Sequence, residues 1–312
     1  MRVLVTGGAG FIGSHVAALA LGAGYEVAVL DDFSSGSRGN LPRNLHVYEV
    51  DLRDRERTWR AVRDFAPDLV SHQAAQVSVA RSRREPLLDT QINVVGGLHL
   101  LEACSAPGVR VRRLVFASTA AVYGDLMEGE RANESLRVEP RSPYGITKLA
   151  FEQLLAFWSE QRGLPSQVLR YSNVYGPRQA ANGESGVVAE FFAAARAGRP
   201  LTVFGRRLAG DGGGERDYVY VQDVARANLL ALGGELPHFV TNVASGRSTS
   251  TRELAERIAA LVGSASQVEG AAAREGDVER SVLDPSRVEP HLGPLTPLDV
   301  GLRETARWYR EG

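Results

Sequence analysis

The run Arg2-Val3-Leu4-Val5-Thr6-Gly7-Gly8-Ala9-Gly10-Phe11-Ile12-Gly13 decides the fold. Residues 2–6 form a short, β-branched strand pattern. The glycines that follow satisfy two spacings at once, Gly8-x-Gly10-x-x-Gly13 and Gly7-x-x-Gly10-x-x-Gly13, and a helical pattern runs on to Ala20. Between a strand and a helix, such glycines allow a tight turn and let the backbone approach a pyrophosphate. The helix N-terminus meets that anion with orphan N–H groups and a partial positive charge. A second apolar run, residues 26–30, ends at Asp31-Asp32, and Asp31 lies 18 residues after Gly13. A carboxylate there accepts hydrogen bonds from an adenosine ribose and repels a 2′-phosphate. The expected cofactor is therefore NAD rather than NADP.

Outward from this turn, residues 45–50 read as a strand stopping at Asp51, 53–65 as an amphipathic helix and 69–70 as a short buried strand. Asp51 can cap the adenine amino group, with Leu52 against the ring, or serve as N-cap for a helix from Arg53 onward. Over 86–105 the apolar positions Leu88, Ile92 and Val95 fall at helical spacing, as do Leu87, Val94, Leu98 and Leu101. Residues 113–117 and 167–170 read as strands. Ser142-Pro143 supplies an N-cap and a first-turn proline for the helix after it. Strands alternating with helices predict an α/β fold with a Rossmann-type doubly wound parallel sheet covered on both faces.

After Gly176-Pro177 the rhythm loosens. Residues 205–216 read as a loop rich in Gly and Arg, 218–221 and 239–243 as strands, and 222–232 as a helix. A Thr-Ser-Thr cap opens a helix over 249–262, and residues 294–310 carry a last amphipathic helix. The expected division is an NAD-binding domain over 1–175 and a smaller, less regular α/β substrate-binding domain over 176–312. Residues 217–243 are expected to pack back onto the first.

Bulk properties narrow the function classes. The 312 residues are 44% hydrophobic and 23% charged with a net charge of −1, which argues against nucleic acid or a membrane surface as partner. The only cysteine, Cys104, falls in an apolar helical pattern and reads as buried packing. The N-terminus enters the first strand with no signal peptide, and no apolar run is long enough to span a bilayer, so the cytoplasm is the expected compartment. No metal is expected.

Of 36 cationic residues, 35 are arginine and one, Lys148, is lysine. Lys148 thus marks a candidate place where a planar guanidinium cannot replace a compact ammonium. Tyr144 lies four residues before it, on the same helix face. Ser118-Thr119 follow a strand at the carboxyl edge of the sheet, where ligands bind in open α/β folds. A Thr119/Tyr144/Lys148 group beside a dinucleotide describes a hydroxyl-to-carbonyl redox site. Tyr144 as phenolate accepts the proton of an alcohol while hydride leaves the same carbon. A free phenol has a pKa of about 10, so work near neutrality asks for a drop of ~3 units, or about 4 kcal/mol. The Lys148 ammonium and the nicotinamide cation both act in that direction.

Four segments carry a resemblance: residues 5–15; Ser118-Thr119-Ala120-Ala121-Val122-Tyr123-Gly124; Ser142-Pro143-Tyr144-Gly145-Ile146-Thr147-Lys148; and Arg216-Asp217-Tyr218-Val219. In order and over nearly the whole length, they resemble extended short-chain dehydrogenases/reductases, and within them the UDP-glucose (UDP-galactose) 4-epimerases. The resemblance implies NAD contacts from Gly7, Gly10, Phe11, Ile12, Gly13, Asp31, Asp32, Asp51, Leu52, Gln73, Ala74, Asn93, Tyr144, Lys148 and Tyr171. It makes Thr119 the catalytic hydroxyl and Tyr144 the general base, with Lys148 beside it. Asn173, Arg216, Arg274 and Asp277 would hold a UDP-sugar, together with Thr119. Val77 stands where better-known relatives place a lysine near the cofactor phosphates.

The implied reaction is NAD-dependent C4 epimerisation of a UDP-hexose through a 4-keto sugar, by an isomerase that is a homodimer through helices over 86–105 and 143–160. Two other readings stand beside it. One is a nucleotide-sugar 4,6-dehydratase or decarboxylase on the same scaffold, against which Ala120-Ala121 argue, because a dehydratase needs an acid and a base there. The other is a non-catalytic NAD-binding sensor, which has no use for a proton-transfer group. Ser281, four residues after Asp277, holds the position that in the family borders the sugar's C2 substituent. A serine in place of a bulky tyrosine leads to the expectation that N-acetylated UDP-hexosamines are also accepted.

Overall fold

The structure, a computed structural model, describes residues 1–181, 186–274 and 277–311. The first part of the chain contains β1 (Arg2–Thr6), α1 (Phe11–Gly22), β2 (Glu26–Asp31), β3 (His46–Glu49), α2 (Arg55–Phe65) and β4 (Leu69–His72). It continues through α3 (Val79–Arg84), α4 (Pro86–Thr90), a π-helical turn (Gln91–Gly96), α5 (Gly97–Cys104), β5 (Arg113–Thr119), α6 (Pro143–Arg162) and β6 (Ser166–Tyr171). Then come β7 (Asn173–Tyr175), α7 (Val187–Arg196), β8 (Leu201–Phe204), β9 (Glu215–Tyr220), α8 (Val221–Gly233) and β10 (Val240–Val243). The chain closes with β11 (Ser248–Ser250), α9 (Thr251–Val262), β12 (Val268–Ala271), β13 (Arg280–Ser281), α10 (Glu289–Leu292) and α11 (Leu298–Glu311).

Seven strands form one sheet in the order β3-β2-β1-β4-β5-β6-β10, and every pairing in it is parallel. Strand periodicity divides its side chains between two cores. Val3 and Val5 face Val16, Ala20, Val224 and Ala227, whereas Leu4 faces Val62, Leu100, Phe151 and Leu155. The order reverses between β1 and β4, and the crevice outside the carboxyl ends at such a switch point is where doubly wound sheets bind ligands. Smaller sheets, β11-β9-β13 with β7 against β9, and β8 with β12, stand beside it. Among the described residues no helix is long and apolar enough to cross a membrane.

Among the boundaries that differ from the sequence expectation, three do so through a side chain or a pairing that periodicity does not register. The helix after Asp51 begins at Arg55, because the Asp54 carboxylate accepts the Arg57 N–H at 3.0 Å and is its N-cap. Asp51 instead accepts the Arg53 N–H and pairs with the Arg53 guanidinium, so it is not the helix cap. Residues 86–105 are not one regular helix: the π turn inserts where Asn93 reaches both the N–H and the C=O of Gln76. β9 starts three residues before Tyr218, since β11 and β13 pair with it at Glu215 and Arg216.

Candidate functional site

The glycine turn excludes side chains where a dinucleotide backbone has to come close. Gly7 has φ 65°, and a Cβ there would stand 2.5 Å from the Ala74 nitrogen. A Cβ on Gly13 would stand 2.1 Å from the Gly7 carbonyl oxygen. Gly10 occupies the N-cap of α1 without a side-chain cap, so the first turn at Phe11, Ile12 and Gly13 offers its backbone N–H groups to an anion. These features fit a dinucleotide pyrophosphate.

Asp31 is buried at the end of β2. Its two oxygens accept the N–H groups of Ala9 (2.9 Å) and Phe33 (2.8 Å), so the carboxylate braces the glycine loop. Burial pushes its carboxyl above the usual range, against those backbone hydrogen bonds. Asp32 is exposed and holds Ser34. Asp51 lines an open hollow with Arg53, Arg57, Gln91 and Val95. Leu52 is buried between α2 and α5, where its carbonyl oxygen bonds His99 Nδ1. Ala74 lies against Gly7. Gln73 and Tyr171 meet in a buried network in which Asn228 Nδ2 donates to the Tyr171 hydroxyl at 2.8 Å and Gln73 Nε2 donates to Asn228 Oδ1 at 2.9 Å. Asn93 is buried, and its amide is engaged by Gln76, Asp89 and Thr147. It shapes the segment after β4 rather than presenting a free group. Val77 is exposed on that segment.

Thr119 ends β5, and Tyr144 stands in the first turn of α6, whose N-cap Ser142 accepts the Gly145 N–H. Lys148 follows one turn later. It is 3% exposed, and its Nζ donates to the Ala117 carbonyl oxygen at 2.8 Å, lying 4.8 Å from the Phe116 ring centroid and 5.9 Å from that of Tyr144. Burial pushes the Tyr144 phenol up to about 12; the Thr119 hydroxyl acts against it and Asp89 adds to it. Burial likewise pushes Lys148 down to about 8, opposed by Asp89 and Glu152. Neither carboxylate stood out in the sequence. Asp89, fully buried in α4, accepts from the Thr147 hydroxyl (2.6 Å) and from Gln76. Glu152 accepts from Ser118 and forms a two-pronged pair with Arg170.

Asn173, Arg216, Arg274 and Asp277 line one cavity of about 490 Å³, with Phe191, Thr202, Phe204 and Tyr218 in its wall. The Arg274 guanidinium lies 3.5 Å from the Phe204 ring centroid, and Arg216 is held by the carbonyl oxygens of Glu215, Val278 and Glu279. Glu275 and Gly276, within the motif that contains Arg274 and Asp277, lie outside the described residues. Ser281 is in register with Arg216 on β13 but is not part of the cavity wall. Tyr218 is a residue the sequence reading passed over. Its hydroxyl is buried with no hydrogen-bond partner among the described residues. Strand alternation was the available signal: Arg216 and Tyr218 share one face of β9, while Asp217 turns away to hold Ser245 and Gly246.

The sequence profile of the NAD dependent epimerase/dehydratase family matches residues 3–244. Among solved structures, that of a Thermus thermophilus UDP-glucose 4-epimerase in complex with NAD superposes with a TM-score of 0.94 at 48% identity, covering 99% of each chain. A Thermotoga maritima UDP-glucose 4-epimerase with UDP-glucose gives 0.92 at 41% identity, covering 100% of this chain and 99% of the other. A UDP-glucose 4-epimerase of Mycolicibacterium smegmatis is 40% identical, over 99% of each chain.

Proposed function

The chain belongs to the NAD dependent epimerase/dehydratase family, and on that premise we propose that it interconverts UDP-glucose and UDP-galactose at C4 with NAD as resident cofactor. The observation that carries the reading is that one sheet edge leads to both sets of residues. Thr119 at the end of β5 pairs in register with Tyr171 at the end of β6, and Asn173, two residues further on, lines the cavity that contains Arg216 and Arg274.

When bound, NAD would supply a reversible hydride acceptor at C4. The chain's own part is proton handling and positioning. Tyr144 takes the proton of the C4 hydroxyl as the carbonyl forms and gives it back when hydride returns to the opposite face, so no net oxidation occurs. Thr119 holds the reacting oxygen, and the Lys148 charge favours the phenolate. Arg216 and Arg274 are matched to a diphosphate, and Tyr218 and Asn173 supply further polar contacts around it. A ketone exposed on one face alone would give back the starting sugar, so the 490 Å³ cavity must let the sugar turn while the diphosphate stays held. Ala120 and Ala121, in the turn after Thr119, supply no acid or base for expulsion of water. Incubation of the purified protein with UDP-galactose, read by NMR at C4, tests the reading. Retained NAD with no change at C4 would overturn it.

Residues 176–312, apart from α8 and β10, supply the sugar-nucleotide side in this reading. The N-acetylated sugars are a further part of it. Ser281 lies outside the wall of the diphosphate cavity but pairs with Arg216, which lines it, and a serine at this family position leaves free the volume that an aromatic ring would take. The Ser281→Tyr variant is expected to lose turnover of UDP-N-acetylgalactosamine while keeping that of UDP-galactose. Wild-type protein inactive on the N-acetyl sugar refutes this. A homodimer completes the proposal. Leu87 (70% exposed) on α4, and Ile146 and Phe157 (54% each) on α6, form an apolar surface suited to burial against the same helices of a second copy. Sedimentation is expected to give a dimer, and Phe157→Glu a monomer; a monomeric wild type overturns it.

A further inference from the structure

Four described arginines bury a guanidinium nitrogen that has no hydrogen-bond partner: Arg2, Arg178, Arg206 and Arg280. Three of them meet a carboxylate through the same group, Arg2 with Glu26 and both Arg206 and Arg280 with Glu215. Arg178 meets none among the described residues. Its Nη1 is buried and unpaired, and burial pushes the group below its ordinary range. Arg178 is half-buried, and leaving its buried Nη1 donors without an acceptor still costs free energy. The backbone adds to the cost, because Arg178 has φ 69°, a left-handed conformation that glycine adopts freely and an arginine does not. A residue kept under two penalties points to a ligand.

Its neighbours say where that ligand lies. The Pro177 carbonyl oxygen accepts from His15 Nε2 at 2.9 Å, so His15 Nδ1 is the acceptor of Gln222 Nε2 at 3.0 Å. The Arg178 charge is felt by His15, whose pKa is pushed down to about 4, chiefly by burial. His15 stands one turn after Phe11, the first residue of α1, with the two rings edge to face at 6.1 Å. Arg178 therefore follows directly on a carbonyl held against the second turn of α1, the helix whose N-terminus has no side-chain cap, and its charge reaches that turn. It takes no part in the wall of the sugar-nucleotide cavity, which has arginines of its own at positions 199, 206, 216 and 274.

The geometry points to Arg178 as a second cationic contact to the dinucleotide pyrophosphate, reaching it from the segment after β7 and slowing release of NAD. This rests on the NAD reading above. It adds a function for the segment: the His15–Pro177 hydrogen bond fixes the arginine against α1, so cofactor retention is shared between the two halves of the chain.

The test uses holoprotein and labelled NAD. Release of bound NAD is measured by exchange, and UDP affinity by titration, for wild type, Arg178→Gln, Arg178→Lys and Arg178→Gly. Release is expected to speed up roughly tenfold to a hundredfold in the Gln and Gly variants, the range for losing one charge-assisted contact, with partial recovery in Lys. UDP affinity should stay at the wild-type value. The Gly variant, relieved of the left-handed strain and the unpaired charge, should unfold no earlier than wild type when both are freed of NAD. NAD release at the wild-type rate in folded Gln and Gly variants overturns the inference, whether or not stability falls. A loss confined to UDP also overturns it, and assigns Arg178 to the substrate. Wild-type protein that carries no NAD at all refutes the NAD reading itself and takes this inference with it.

Discussion

Tyr144→Phe lowers the rate of C4 epimerisation by about three orders of magnitude and leaves NAD bound. The magnitude is what a positioned proton-transfer group contributes, ~10²–10⁴-fold. Removing one hydroxyl keeps the ring that α6 buries, so the first turn and its Ser142 cap stay in place. In the cofactor-free chain burial holds the phenol up at about 12, the wrong direction for a base at neutral pH. The phenol stands that high with the Lys148 ammonium already one turn away, so the further charge that brings it down is that of the nicotinamide ring when bound. Turnover by NMR and cofactor content by absorbance check both halves of the expectation. A variant within tenfold of wild type would remove Tyr144 as the base. One that has lost NAD would show that the phenol holds the cofactor.

Lys148→Arg is the second large effect, a loss of ~10²-fold or more in turnover together with roughly 1–3 kcal/mol of stability from overpacking. The site is built for a compact ammonium. Nζ ends 2.8 Å from the Ala117 carbonyl oxygen and under the Phe116 ring, with Asp89 and Glu152 as the carboxylates that favour its charge. A guanidinium is longer and planar, and its extra donors would meet the underside of β5. Lys148→Met separates charge from packing through pH. The folded pKa, about 8, is below the ordinary 10.5, so between those values the unfolded chain binds more protons and the cofactor-free wild type gains stability as pH rises. The Met variant lacks that gain. Urea midpoints measured across that window check it. An Arg variant with wild-type turnover would mean that the single lysine among 35 arginines is an accident.

Much of this molecule was legible from short stretches. Residues 2–13 specify strand, turn and helix because the steric limits act within a few residues: Gly7 needs its φ, and Gly13 lies against the Gly7 carbonyl in the same turn. The cap at Ser142 and the pairing of Tyr144 with Lys148 are likewise local, set by helical periodicity. The helix expected from Arg53 failed on an equally local point, since Asp51 and Asp54 are both fit to cap and only the folded backbone chooses between them.

By itself, then, the sequence determined the glycine turn and the placing of Tyr144 and Lys148 on one helix face, because each is written in spacings of one to four residues and in the steric demands of glycine, and the alternation of such strands and helices gave the parallel α/β architecture. The tertiary structure alone decided the rest, because its partners are far apart in the chain. Asp89 reaches Thr147 across 58 residues, His15 reaches Pro177 across 162, and Arg280 reaches Glu215 across 65. The burial that moves Tyr144 up and Lys148 down, and the Tyr218 hydroxyl and Arg178 Nη1 left without a partner among the described residues, arise only when those distant segments close on one another and exclude water. No local pattern encodes that desolvation.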